Sequence, residues 1–166
     1  MIEMKVAGIA VDANRSPIVL LKDSQDRRAL PIYINQDQAK AIIGALENQK
    51  PPRPLTHDLL VNILVAWGMT LERVIIHSIQ DQTFYAILSV RQGEVKKEID
   101  ARPSDAIAIA LRTNTPIWVM EEVIADASIP VDRDADEAEQ RAFREFLANL
   151  RPEDLIERGG LGSGEA

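Results

Sequence analysis

RALPIYINQDQAKAIIGALENQKPPRPLTHDLLVNILVAWG, residues 28–68, changes its apolar period twice, and those changes decide the fold. RALPIYI (28–34) is a short β-rich run. From Asn35 the apolar residues Ala39, Ile42, Ile43 and Leu46 recur at three and four, which predicts a helix running to about Asn48. KPPRP (50–54) forbids helix, because each proline lacks a donor and forces the residue before it into extended geometry. Thr56 is then placed as the N-cap of a second helix. Its buried face would be Leu59, Leu60, Ile63, Leu64 and Trp67, and it would end near Gly68.

Toward the N-terminus, MKVAGIAVD (4–12) and PIVLLKD (17–23) read as two more strands, separated by Asn14, Ser16 and Pro17 and followed by Ser24 and Asp26. Toward the C-terminus, strands are expected at 69–79, 83–91 and 95–100, with Gln80-Asp81-Gln82 and Gln92-Gly93 as turns. A third helix is expected from Pro103 to Thr113, with proline in its first turn and Asn114 as a left-handed cap. IWVM (117–120) is a short buried strand, and EEVIADA (121–127) one or two helical turns. The expected class is α+β: a mixed, largely antiparallel sheet of six to seven strands with three to four helices. Shifting the chain by 65 residues lays Met4 on Met69, Ala41 on Ala106, Ile42 on Ile107, Ala45 on Ala110 and Leu46 on Leu111. Either a βββα unit is duplicated, or shared amphipathic constraints alone produce the echo.

A chain of 166 residues buries one proper core, so one domain over 1–130 is expected. After it, 131–158 reads as an acidic amphipathic helical extension with a Phe143, Phe146, Leu147, Leu150 stripe, and GGLGSGEA (159–166) as a flexible tail. The chain has no cysteine, which removes disulfides, thiolate nucleophiles and Cys-ligated zinc and fits a reducing, cytoplasmic setting. MIEMKVAGIAVDANRSP reads as neither signal peptide nor membrane span. The formal charge of −7 argues against binding nucleic acid by bulk charge, although residues 132–166 carry −5 of it and leave the rest near neutral.

Two segments carry candidate chemistry. In Thr56-His57-Asp58 a helix N-terminus offers free N–H groups to a phosphate, and His57 a proton; the alternative is ordinary capping, with Asp58 complementing the dipole. Asp100-Ala101-Arg102-Pro103-Ser104-Asp105 places two carboxylates, a guanidinium and a hydroxyl where strand passes to helix. Asp100 and Asp105 with Glu98 would hold Mg²⁺ or Mn²⁺ through oxygen, while Arg102 and Ser104 hold a phosphate; again capping is the alternative. Arg53, fixed in the proline-rich link, is a third anion contact, and His77, inside a strand, a structural residue. Gly-rich phosphate loops, His-Glu-x-x-His and Gly-x-Ser-x-Gly are absent, and seven aromatic residues supply a base-stacking platform poorly.

LPIYINQDQAKAIIGALENQKPPRPLTHDLLVNIL (30–64) and FYAILSVRQGEVKKEIDARPSDAIAIALRTNTPIWVMEEV (84–123) resemble the two signature blocks of the bifunctional nuclease domain family, and the resemblance covers residues 1–130. It implies a nuclease acting on both DNA and RNA. On that basis the first expectation is a divalent-metal-dependent nuclease of low sequence specificity. In it Asp100 and Asp105 form a metal or water-activating site, His57 is acid or base with Asp58 also counted among the catalytic residues, and Arg53, Thr56, Arg102 and Ser104 bind the phosphodiester. It requires the 53–58 loop to meet the 100–105 turn. The rival is a noncatalytic interaction module in which both motifs are structural. A homo-oligomer, a dimer by preference, is expected in either case, with AIAIAL (106–111) buried in the protomer or at a dimer seam.

Overall fold

The computed structural model describes residues 1–131 and Glu145. Its elements in chain order are β1 (Ile2–Val11), β2 (Pro17–Asp23), β3 (Arg28–Tyr33), α1 (Gln36–Leu46), α2 (Thr56–Ala66), β4 (Thr70–Gln80), β5 (Thr83–Gln92), β6 (Val95–Ala101), α3 (Pro103–Thr113), β7 (Ile117–Val119), α4 (Glu121–Ala127) and β8 (Ile129–Pro130). The α+β expectation holds, with eight strands rather than six or seven: the extra one, β8, is a two-residue strand pairing with the start of β3, too short to leave a periodic signal. The expected acidic helix and tail lie outside the described residues, apart from Val131 and Glu145.

The sheet runs β6-β5-β4-β7-β1-β2-β3-β8. Each half is a meander, β1-β2-β3 and β4-β5-β6, and each is followed by a helix, α1 and α3. The halves meet through β7, which pairs antiparallel with β1 and parallel with β4. The repetition extends to a defect: the β1 ladder slips between Val6 and Gly8, and the β4 ladder between Leu71 and Arg73, the same positions at a shift of 65. A bulge recurring at equivalent positions is hard to obtain from amphipathic patterning alone, and it favours the duplicated unit.

Local chemistry explains the element ends. Asp81 and Gln82 both take positive φ, the geometry of a two-residue hairpin turn between β4 and β5. Pro103 opens α3, where its missing N–H costs nothing, and Asn114 closes it at φ 52, as expected. One buried cluster joins the sheet to the helices: Met4, Leu21, Val74 and Ile76 meet Ile42, Ile107 and Val123. The AIAIAL segment is buried there, within the protomer. The expectation for α2 is overturned. Only Leu64 is buried, while Leu59, Leu60, Ile63 and Trp67 face solvent.

Candidate functional site

α2 begins where the proline-rich link ends, but its cap is not Thr56. The N-cap position falls on Leu55, which has no side-chain acceptor, and the helix is closed from inside: Asp58, one turn on, accepts the Leu55 N–H at 3.0 Å. Its other oxygen accepts from Arg112 Nε at 2.8 Å. The Leu55 N–H, and then Arg112, hold the Asp58 carboxyl below the usual carboxylate range. Arg112 also donates through Nη1 to the carbonyls of Ala41 (3.0 Å) and Ala108 (2.8 Å), so one nearly buried guanidinium ties α1, α2 and α3 together. Asp58, expected among the catalytic groups, is therefore committed to structure on both oxygens.

His57, its neighbour, turns the other way along α3. Its Nε2 lies 2.9 Å from Asp105 Oδ1, and Arg102 Nε donates to Asp105 Oδ2 at 2.9 Å. A carboxylate only accepts, so His57 donates from Nε2, and in the neutral ring Nδ1 is then an acceptor. The His57 side chain is 16% exposed and Asp105 30%, against 67% for Arg102. An oriented, largely buried imidazole thus lies beside a guanidinium whose side chain is mostly exposed. The required meeting of the 53–58 loop with the 100–105 turn is present, across 48 residues of sequence.

Other expected residues are not gathered here. In β6, Ala101 and Ile99 pair with Ala86 and Leu88, which belong to the buried cluster beneath the helices. By alternation Asp100 and Glu98, paired with Ile87 and Ser89, point to the opposite face of the sheet from α3. The expected metal trio Asp100, Asp105 and Glu98 is therefore split between two faces, and no group of three or more His, Asp or Glu suited to a metal occurs among the described residues. The donor set does not fit Mg²⁺ or Mn²⁺, which need several converging oxygens. Ser104 is buried at 4% exposure, out of a substrate's reach, whereas Arg53 and Thr56 are exposed near the start of α2. His77 lies at an irregularity of β4, with its ring 6.5 Å from that of Tyr85.

Sequence reasoning missed Arg112. Its one signal is a lone cation ending an otherwise apolar helix, which also suits the helix dipole. It missed as well a pocket of about 300 Å³ between the end of α1 and α2, lined by Asn48, Gln49, Lys50, Asp58, Asn62 and Arg112 among others. Amides and cations in one concavity beside the His57 helix turn are donors and acceptors of the kind that read a base edge or a phosphate. Among the described residues no helix is long and apolar enough to cross a membrane.

A family model described as the bifunctional nuclease domain matches residues 19–132. An uncharacterized protein of Mycobacterium tuberculosis is 42% identical over 162 residues, covering 92% of this chain and 97% of its own length. Bifunctional nuclease 1 of Oryza sativa subsp. japonica and the bifunctional nuclease of Oryza minuta are each 25% identical over 130 residues. That alignment takes in 76% of this chain but only 39% of either rice protein.

Proposed function

Because the chain belongs to the bifunctional nuclease domain family, we propose that it hydrolyses phosphodiester bonds of DNA and RNA at the His57–Asp105–Arg102 cluster. The observation that carries this reading is the 2.9 Å contact between His57 and Asp105, which joins two motifs 48 residues apart. Asp105 fixes the ring and stabilises the imidazolium that forms when His57 Nδ1 takes a proton from the attacking water. The new oxygen–phosphorus bond forms as the bond to the leaving nucleoside oxygen breaks, and charge accumulates on the phosphoryl oxygens. Arg102, engaged only through Nε in the described hydrogen bonds, presents its terminal nitrogens to that charge, and Arg53 and Thr56 extend the anion-binding rim. Contacts to phosphate rather than to bases give low sequence specificity. Self-association, in a cytoplasmic setting, belongs to the same proposal, since α2 offers apolar surface to water.

One observation favours the noncatalytic reading: Asp58 and Asp105 are both satisfied inside the protein, as structural carboxylates would be. The assay that separates the two readings is cleavage of labelled single-stranded and duplex DNA and RNA by purified protein in Mg²⁺, Mn²⁺ or EDTA, beside His57→Ala and Asp105→Asn. Cleavage reduced by roughly 10²–10⁴ in both folded variants supports hydrolysis at this cluster. Undiminished cleavage in both removes it. The EDTA arm tests metal dependence, for which the Asp100, Asp105 and Glu98 set within one protomer is unsuited.

A further inference from the structure

We infer that the pocket of about 300 Å³ between the end of α1 and α2 takes one unstacked nucleobase of the strand whose phosphate lies at the His57–Asp105–Arg102 cluster. The strand rests on the hydrolysis proposed above, and the base on the pocket itself. α3 joins the two places. Asp105 lies in its first turn and Arg112, seven residues on, in its last, which is about 10 Å along the helix axis. α2 makes the same connection: His57 meets Asp105, while Asp58 and Asn62 line the pocket. A strand held by a phosphate at Arg102 therefore has a neighbouring nucleotide within reach of the pocket.

The pocket stands at the bottom of the roughly 300–1,000 Å³ range of small-ligand sites, which suits one base and its sugar rather than a stacked pair. Its apolar walls come from three helices, Ala45 of α1, Val61 of α2 and Leu111 of α3. Apolar side chains pack on the faces of a base, and a base enters such a concavity only by leaving its neighbours in the stack.

The polar groups suit the edge of a base. Asn48, Gln49 and Asn62 bring amides, each both donor and acceptor, and rotating an amide exchanges its oxygen and nitrogen. The set can therefore match any base, in keeping with low sequence specificity. Arg112, only 12% exposed, adds a fixed cation whose Nη2 no described hydrogen bond uses, and Lys50 a second one for the adjoining phosphate. The described hydrogen bonds and ion pairs leave the side chains of Asn48, Lys50 and Asn62 open to a ligand. The rim itself is set by the end of α1: Asn48 takes φ 52 and donates its N–H to the Ala45 carbonyl at 3.2 Å, and the Gln49 N–H reaches the Gly44 carbonyl at 2.9 Å.

The test follows the backbone amide resonances of the full isotope-labelled chain by NMR as 5′-mononucleotides, ribose 5-phosphate or a short phosphorothioate single strand is added. The mononucleotides of all bases should move the resonances of residues 45–50 and 61–62, with Kd values within about fivefold of one another. Ribose 5-phosphate, the anion without the base, should bind at least about tenfold more weakly. The single strand should move the same resonances together with those of 102–105. Asn62→Ala, and Asn48→Gly, which keeps the left-handed backbone, should each raise the mononucleotide Kd by about three- to tenfold, the worth of one hydrogen bond. Ribose 5-phosphate binding as tightly as the nucleotides overturns the inference, and so does a mononucleotide Kd unchanged in both variants. So does a failure of mononucleotides to bind at millimolar concentration, or a single strand that moves 102–105 and leaves the pocket alone. None of these readouts is cleavage: a chain that meets them while His57→Ala and Asp105→Asn cleave undiminished keeps the base pocket and loses the hydrolytic assignment.

Discussion

α1 and α3 open the same way and end up doing different things. Each follows the third strand of its half, and each is governed by its N-cap and its third residue: Asn35 with Gln38 in α1, Arg102 with Asp105 in α3. In α1 the two side chains serve the helix itself. Asn35 accepts the Gln38 N–H at 2.9 Å, Gln38 accepts the Asn35 N–H at 3.0 Å, and the corner is closed. In α3 the same two positions look outward: Asp105 spends its oxygens on Arg102 and on His57 of α2, and no side chain caps the helix. A helix start can be turned from self-capping to ligand-facing by exchanging two residues, provided that another element supplies the partner. Here α2, inserted between the halves, supplies it.

Asp105→Asn is expected to cut cleavage by roughly 10²–10⁴, while Gln38→Ala, its counterpart, leaves cleavage within about twofold. Equal losses in kcat from the two variants would erase the distinction between the corners. Arg112→Met withdraws the guanidinium that Asp58 and two helix carbonyls share, and should lower unfolding stability by about 2–4 kcal/mol in urea titrations. A loss under about 1 kcal/mol would mean that α2 is held by its apolar contacts instead. Asn35→Ala should cost about 1 kcal/mol by the same titration, with activity retained.

Asp58 gives the smallest effect. Its folded carboxyl is depressed, so its contribution is fully present above the ordinary carboxylate pKa and is lost as pH falls through the lower folded value. Urea midpoints measured from neutral pH downward should fall over that acid window. Asp58→Asn should flatten the fall and lower stability at neutral pH, where the carboxylate's contribution is present; an unchanged acid limb would show that the carboxyl is not held by Leu55 and Arg112.

Strands and helices were readable because their periods are local, and the bounds of β2 and α3 agree to the residue. α2 shows where that reading stops. Its apolar recurrence is real, but periodicity reports an apolar face and not which molecule covers it. The split of Asp100 from Asp105 was legible in principle, since Ile99 and Ala101 alternate with Glu98 and Asp100 and mark which face of β6 lies under the helices. The pairing of His57 with Asp105 was not, because no spacing rule spans a crossover between two halves. Arg112 was hidden for the same reason: its three partners come from three helices, and only one of them is its own.

The placement of β7 bears on how the chain is made. β1 and β4 lie next to each other in the sheet only through a three-residue strand that emerges after nearly everything else, with Ile2 facing Val119 and Ile76 beside the same residue. During synthesis each meander can assemble as its residues appear, but their inner edges, one on β1 and one on β4, stay open until residues 117–119 arrive. Contacts between the two ends of the domain close late and slow folding. A chain released before residue 117 would carry two half-sheets with unpaired inner strands, the form most prone to join its neighbours edge to edge.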